Sequence, residues 1–134
     1  MKKIILDTNF LMIPWQFRVD IFSELGRICD FNYKIFIYGQ SINELRNIMN
    51  NPTSSGKNKK AAQLALKLIK LKDIQIIKSE EKDVDSVILE NLDNEIIVAT
   101  QDILLKKELL QKGASVIILR QKKYLQLLER KLYK

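Results

Sequence analysis

Three short aliphatic runs constrain this chain more than anything else in it. They are Ile4-Ile5-Leu6 within KIILD, IIVA at 96–99 and SVIIL at 115–119. A strand with one wet face alternates apolar and polar residues. A run that is apolar at every position must be covered on both sides, as in a parallel sheet clad by helices. Residues 33–38 (YKIFIY) and 74–77 (IQII) read as two more strands.

The segments between these runs have helical spacing. Residues 8–16 suit a short helix broken near Pro14. Residues 19–29 put Ile21, Leu25 and Ile28 on one stripe. Residues 41–50 read as a helix with Ser41 as N-cap and Glu44 three positions on, a capping-box spacing. Turn formers fill 50–58 (NNPTSSGKN), and helices are expected at about 59–71, 84–92 and 102–112, the last stopped by Gly113. A basic helix is expected to close the chain. Alternating strands and helices predict an α/β fold, a three-layer α/β/α sandwich with a mostly parallel sheet of about five strands. The 134 residues suit one domain, spanning 1–134.

Several chemistries are excluded by composition. There is no His, and one cysteine, Cys29, so no imidazole base, disulfide or Cys/His zinc site can form within the chain. Cys29 reads as a packing residue. The four glycines are scattered, and no glycine-rich phosphate loop can be written with them. No apolar run is long enough to span a bilayer. The opening MKKIILD meets an acid directly after its first apolar run, unlike a secretory leader, so a cytoplasmic location is the expectation. Catalysis would have to rest on carboxylates, hydroxyls, amides, Lys and Arg.

In a parallel sheet, ligands bind beyond the carboxyl ends of the strands. Asp7 ends the first run, and Asp102 follows IIVA by three residues. Glu44 lies one turn into the helix after the second strand, and Asp85 starts the helix before IIVA. Each acid has a plain structural reading as a cap or a first-turn helix acid. Together they would repel unless a hard cation with oxygen ligands, Mg2+ or Mn2+, held them. With those four charges set aside, the remainder of the chain carries +11 against a formal +7 overall. An acidic, metal-filled pocket in a basic surface suits cleavage of a nucleic-acid backbone.

The segments ILDTNFLM, INELRNI, VDSVI and IVATQD, in that order, resemble the PIN domain family of metal-dependent ribonucleases. FLMIPWQFRVDIFSEL and VIILRQKKYLQL resemble archaeal PIN proteins close to the small-subunit ribosomal-RNA processing nucleases. The resemblance implies a metal-dependent endoribonuclease with Asp7, Glu44, Asp85 and Asp102 as its acids, and Asp7, Asp85 and Asp102 as metal ligands. Thr8, Asn9 and Thr100 would support them by hydrogen bonds. The chain departs from relatives that carry two adjacent acids where it has Asp85-Ser86, and Asp83 is an alternative ligand. The implied substrate is RNA, structured ribosomal RNA in the processing role. Alternatives are a ribonuclease toxin with an antitoxin-like protein partner, and a weakly active or inactive RNA-binding assembly factor. A homodimer is open. Asp7-Thr8-Asn9 lacks both the acid pair of response-regulator receivers and the D-x-D of haloacid-dehalogenase phosphatases.

Lys57, Lys59 and Lys60, and Arg120, Lys122 and Lys123, are the candidate RNA-backbone contacts. Arg130, Lys131 and Lys134 add to the second group. Tyr124 and Tyr133 offer rings for base stacking, but at helical spacing Tyr124, Leu127, Leu128 and Lys131 form a packing stripe. Trp15, Phe17 and Phe22 read as core or subunit-interface residues, with base contact an alternative for Trp15.

Overall fold

The computed structural model describes residues 1–80 and 83–129. Arg130, Lys131, Tyr133 and Lys134 therefore lie outside the described residues.

The strands are β1 (Lys2–Leu6), β2 (Tyr33–Tyr38), β3 (Gln75–Ile77), β4 (Ile96–Ala99), β5 (Ser115–Arg120) and β6 (Tyr124–Leu128). They form one sheet in the order β3-β2-β1-β4-β5-β6. The first five are parallel, and β6 runs antiparallel to β5. The helices are α1 (Ile13–Phe17), α2 (Ile21–Ile28), α3 (Gly39–Asn50), α4 (Gly56–Leu71), α5 (Val84–Glu90) and α6 (Ile103–Gln111).

The unalternated runs do have two dry faces. Ile4 and Leu6 pack with α1 to α4 on one side, through Ile13, Ile21, Leu25, Leu45 and Ala62. Ile5, Val98 and Val116 pack on the other side against Val87 and Ile88 of α5 and Leu105 and Leu109 of α6. This is the three-layer α/β/α arrangement the sequence predicts.

Three local readings change. Pro14 does not break a helix. A 3-10 turn over Phe10–Met12 leads into α1, and Pro14 sits in the first turn of α1, where its missing N–H costs nothing. Ser41 is no cap, because α3 begins two residues earlier, at Gly39. The closing segment is a strand rather than a helix. Arg120 to Lys123 form a tight turn closed by Lys123 N–H donating to Arg120 O (2.9 Å), with Gln121 and Lys122 both at positive φ, 51° and 57°. The chain then pairs along β5, with Leu125 and Leu127 turned to the core, a period of two that replaces the helical stripe.

The outer edge of β6 is covered. Glu24 and Arg27 of α2 form a two-contact ion pair (2.8 and 2.9 Å). Glu24 Oε1 accepts from Leu125 N–H, and Arg27 donates to Leu125 O, both at 2.9 Å. The outward N–H and C=O of Leu125 on this edge strand are thus satisfied by one charged pair.

Gly113 acts as the sequence predicts. It has φ 78°, and the bonds Gly113 N–H to Leu110 O and Ala114 N–H to Leu109 O close a Schellman motif after α6.

Candidate active site

The chain leaves β1 toward β2 and β3 on one side, and later returns to lay β4, β5 and β6 on the other. Strand order therefore reverses between β1 and β4, which opens a crevice at their carboxyl ends. Register finishes the placement. Leu6 pairs with Ala99, so Asp7 and Thr100 are the next residues past the sheet.

Asp7 is 5% exposed. Its N–H donates to Ala99 O (2.9 Å). Its Oδ1 accepts from Thr8 N–H (2.8 Å) and its Oδ2 from the Thr100 hydroxyl (2.7 Å). Burial pushes the carboxyl up. The Thr100 and Thr8 hydrogen bonds pull it down, the charges of Glu44 and Asp102 raise it again, and the net is upward. Each oxygen keeps a lone pair beyond those bonds.

Thr8 is also buried, with its Oγ1 2.8 Å from Ser41 Oγ and 2.7 Å from Glu44 Oε2. A hydroxyl has one proton, so the chemistry sets the direction: Ser41 donates to Thr8, and Thr8 donates to the Glu44 carboxylate. Ser41 and Glu44 lie one helical turn apart on α3, so both face β1. The i, i+3 spacing that mimics a capping box has a different cause here.

Asp102 is the N-cap of α6, and its Oδ1 accepts from Leu104 N–H (2.9 Å) and Leu105 N–H (3.2 Å). Oδ2 makes no such bond. Capping holds one oxygen and leaves the other to the cavity, so the plain structural reading and the functional one coexist. Asp83 caps α5 through Ser86 N–H (2.8 Å) and the Ser86 hydroxyl (3.1 Å), which lower its carboxyl. It does not line the cavity, whereas Asp85 does. Partial burial first, then the charges of Asp7, Asp102, Asp83 and Glu108, push Asp85 up to about 6.

Asp7, Glu44, Asp85 and Asp102 thus line one cavity of about 480 Å³, with Thr8, Asn9, Met12, Asn47 and Ile48. Thr100 stands behind it, bonded to Asp7 and accepting from Asp102 N–H (3.0 Å). Asn9 lines the same cavity, and its hydrogen bonds run to Gln101. Its Oδ1 accepts from Gln101 N–H (3.2 Å), and its carbonyl accepts from the Gln101 side chain (2.8 Å). These bonds lock the β1 and β4 loops together. Gln101 and Ser41 were not legible as site residues, since each depends on which loop or helix faces it.

The donor set fits a hard divalent cation: carboxylate oxygens only, partly desolvated, with Asp7 and Asp85 held above their ordinary values by burial first and then by the charges of neighbouring acids. Among the described residues no three acids close on a single point as a finished ligand shell. Their mutual repulsion opposes closer approach.

The candidate RNA contacts divide. Arg120 and Lys122 line a second cavity with Lys106 and Phe17, and Asp102 is part of its wall too. Lys122 Nζ sits 5.9 Å from the Phe17 ring centre. Lys57 and Lys60 line a third cavity with Trp15 and Arg18. Lys59 and Lys123 line neither. Phe17 and Phe22 pack on the core as expected, but Trp15 is 48% exposed and not a core residue.

The family model described as "PIN like domain" matches residues 4–122. This chain belongs to the PIN-like domain family. A relative, "Ribonuclease VapC4" of Methanocaldococcus jannaschii, is 33% identical over 129 residues, covering 95% of this chain and 97% of the relative. Among solved structures, "Structure of the PIN domain endonuclease Utp24" aligns with TM-score 0.77 at 20% identity, over 97% of this chain and 92% of that one. "A domain of a functionally unknown protein" from M. jannaschii aligns with TM-score 0.53 at 17% identity, over 90% of this chain and 92% of that one. The Utp24 match shows the PIN fold. Among the described residues no helix is long and apolar enough to cross a membrane.

Proposed function

We propose that this PIN-like chain is an endoribonuclease that hydrolyses RNA phosphodiester bonds with Mg2+ or Mn2+. Asp7, Asp85 and Asp102 hold the ion, and Glu44 binds it or orients its water. The observation that carries this reading is four acids from four separate segments on one cavity wall, two of them, Asp7 and Asp85, raised by burial and by the charges of neighbouring acids. A bound divalent ion supplies a water acidified toward neutral pH and a positive charge beside the scissile phosphate.

The chain's own part is positional. Thr8 N–H and the Thr100 hydroxyl fix the Asp7 carboxylate plane. The Ser41–Thr8 relay fixes Glu44. Helix α6 fixes Asp102 by its first-turn amides. Lys106, Arg120 and Lys122, lining the cavity that shares Asp102, draw the RNA backbone toward the acids.

The decisive variant is Asp7→Asn, assayed on labelled RNA with Mn2+ and with chelator, alongside Mn2+ titration calorimetry. Metal-dependent cleavage should fall by about a thousandfold or more, and saturable Mn2+ binding should be lost, with the melting transition intact. Undiminished cleavage, with contaminating nuclease removed, would reject the assignment.

Two biological roles divide the reading. Ribosomal-RNA processing is supported by the sequence resemblance at 10–25 and 116–127. A ribonuclease toxin with an antitoxin-like partner is favoured by the VapC name of the 33% identical relative. Co-purification of a small neutralising protein that suppresses cleavage decides for the second.

A further inference from the structure

The depression beside α1 combines features that neither fold nor metal chemistry requires. Trp15 forms its wall and is 48% exposed, although Phe10, five residues earlier, is fully buried. Arg18, Lys57 and Lys60 line the same cavity as the indole, with Gln16 and Gly56, and among the described residues no acid does. Among the described residues none of these three cations forms an ion pair. Lys57 and Lys60 lie one turn apart at the start of α4, so they share a face. Arg18 ends α1 at φ 54°, a left-handed conformation that favours Gly or Asn over Arg. The cavity holds about 420 Å³, within the range of small-ligand sites.

We propose that this cavity is a subsite for one unpaired nucleotide of single-stranded RNA, with the Trp15 indole stacked on the base and Arg18, Lys57 and Lys60 on the flanking phosphates. The assignment deepens the ribonuclease reading and rests on it. Bases offer a π-face to an aromatic platform, and the backbone offers charge to the cations beside it. An acidic peptide would satisfy the cations and leave the indole unused. Continuity favours RNA as well. Helix α1 also supplies Phe17 to the cavity of Lys106, Arg120 and Lys122, which shares Asp102 with the carboxylates. Helix α1 therefore borders both cavities, with Phe17 on one and Trp15 on the other. A duplex keeps its bases stacked inside and cannot use the indole.

Trp15 is the only tryptophan in the chain, so its emission reports on this cavity alone. The test is titration of the whole chain with a short unstructured RNA in chelator, where binding is read without cleavage. Saturable quenching is expected, weakened by salt. An abasic oligomer of equal length should bind about tenfold more weakly and leave the emission unchanged. Trp15→Ala should weaken labelled RNA by about tenfold in anisotropy, and Trp15→Phe should retain most of the affinity. Changing Arg18, Lys57 and Lys60 together to Gln should lower the slope of log affinity against log salt by about 2. Tight RNA binding with silent Trp15 emission, or Trp15→Ala that binds like the parent, overturns the subsite. Equal quenching by poly-glutamate hands the cavity to an acidic peptide and overturns it as well. Metal-dependent cleavage that persists beside a silent Trp15 sinks this subsite alone and leaves the nuclease reading standing.

Discussion

Asp7 and Arg120 both stand at the carboxyl edge of the sheet, one just past β1 and the other at the end of β5. Asp7 is 5% exposed, its backbone bonded to the neighbouring strand and each carboxylate oxygen fixed by a donor. The Arg120 side chain is exposed and, among the described residues, held by one hydrogen bond, from its Nε to Gln126 Oε1 (2.6 Å). The difference extends to their surroundings. The carboxylate cavity is built from register, buried hydroxyls and helix caps. The basic flanks are built from tight turns and helix starts, with charges that face solvent. Chemistry that depends on sub-ångström placement needs side chains fixed in this way. Capture of a polyanion depends on summed charge at longer range, so it tolerates looser side chains.

That contrast can be broken at Asp102, which serves as both cap and acid. Asp102→Asn keeps an oxygen for Leu104 N–H and Leu105 N–H but loses the charge. We expect cleavage to fall by about a hundredfold or more with stability nearly unchanged. Asp102→Ala should lose the same activity and about 1 kcal/mol of stability besides. Single-turnover assays and urea melts on both variants check this. If the Asn variant is as unstable as the Ala variant, capping does not explain how this carboxylate is held.

A weaker effect is expected one layer back. Thr8→Val removes the hydroxyl that links Ser41 to Glu44 and leaves Ser41 buried without its partner. Stability should drop by about 1–3 kcal/mol. Cleavage should drop roughly tenfold to a hundredfold, with RNA affinity unchanged in chelator. A fall in affinity instead of turnover would move Thr8 from the chemistry to the binding surface.

The basic flank should give the opposite pattern. Replacing Lys106, Arg120 and Lys122 by Gln should weaken RNA binding, with the salt slope lower by roughly 0.7 for each phosphate no longer neutralised. Turnover at saturating RNA should stay within about twofold of the parent, since rim charges act mainly on encounter. Saturating turnover that collapses would mean these cations touch the reacting phosphate.

The smallest effect concerns pH. The folded protein holds Asp85 at about 6 against an ordinary 3.8, and the main causes are burial and the charges of Asp7 and Asp102. The native state therefore binds more protons than the unfolded chain between those values. Stability of the metal-free protein must fall as pH rises through that window and stay low above it. Solvent screening at this exposed carboxyl limits the change to about 1 kcal/mol. Asp85→Asn should flatten the profile and raise metal-free stability at neutral pH, read by denaturant melts across the window. A profile that rises with pH would contradict the repulsion argument.

How far the site is legible in sequence follows from the range of each interaction. Asp7 and Asp102 can be placed locally because each ends or follows an uninterrupted aliphatic run. Asp85 is favoured over Asp83 by the family resemblance; in the structure Asp83 bonds Ser86, and Asp85 lines the cavity. Ser41 reads wrongly as a cap, because Ser-x-x-Glu suits a cap and an inward-facing turn alike, and only the position of Thr8 across the gap separates them. The closing strand is hidden for a similar reason. Tyr124 to Leu128 has helix-compatible residues, and the bonds that override them come from β5 and from Glu24 and Arg27 far away in sequence. Residue type alone puts Trp15 in the core or at a subunit interface, and type says nothing of what surrounds a ring.

The sequence by itself determined a two-faced parallel sheet and the positions at which its strands give way to acids, because a continuous apolar run and the polar residue that stops it are both local facts. Only the tertiary structure decided which strands would be neighbours at the crevice, which hydroxyl would meet which carboxylate, and that Trp15 would stand among cations. Those outcomes depend on register and on the direction in which the chain crosses over, which are set by the joint packing of segments tens of residues apart.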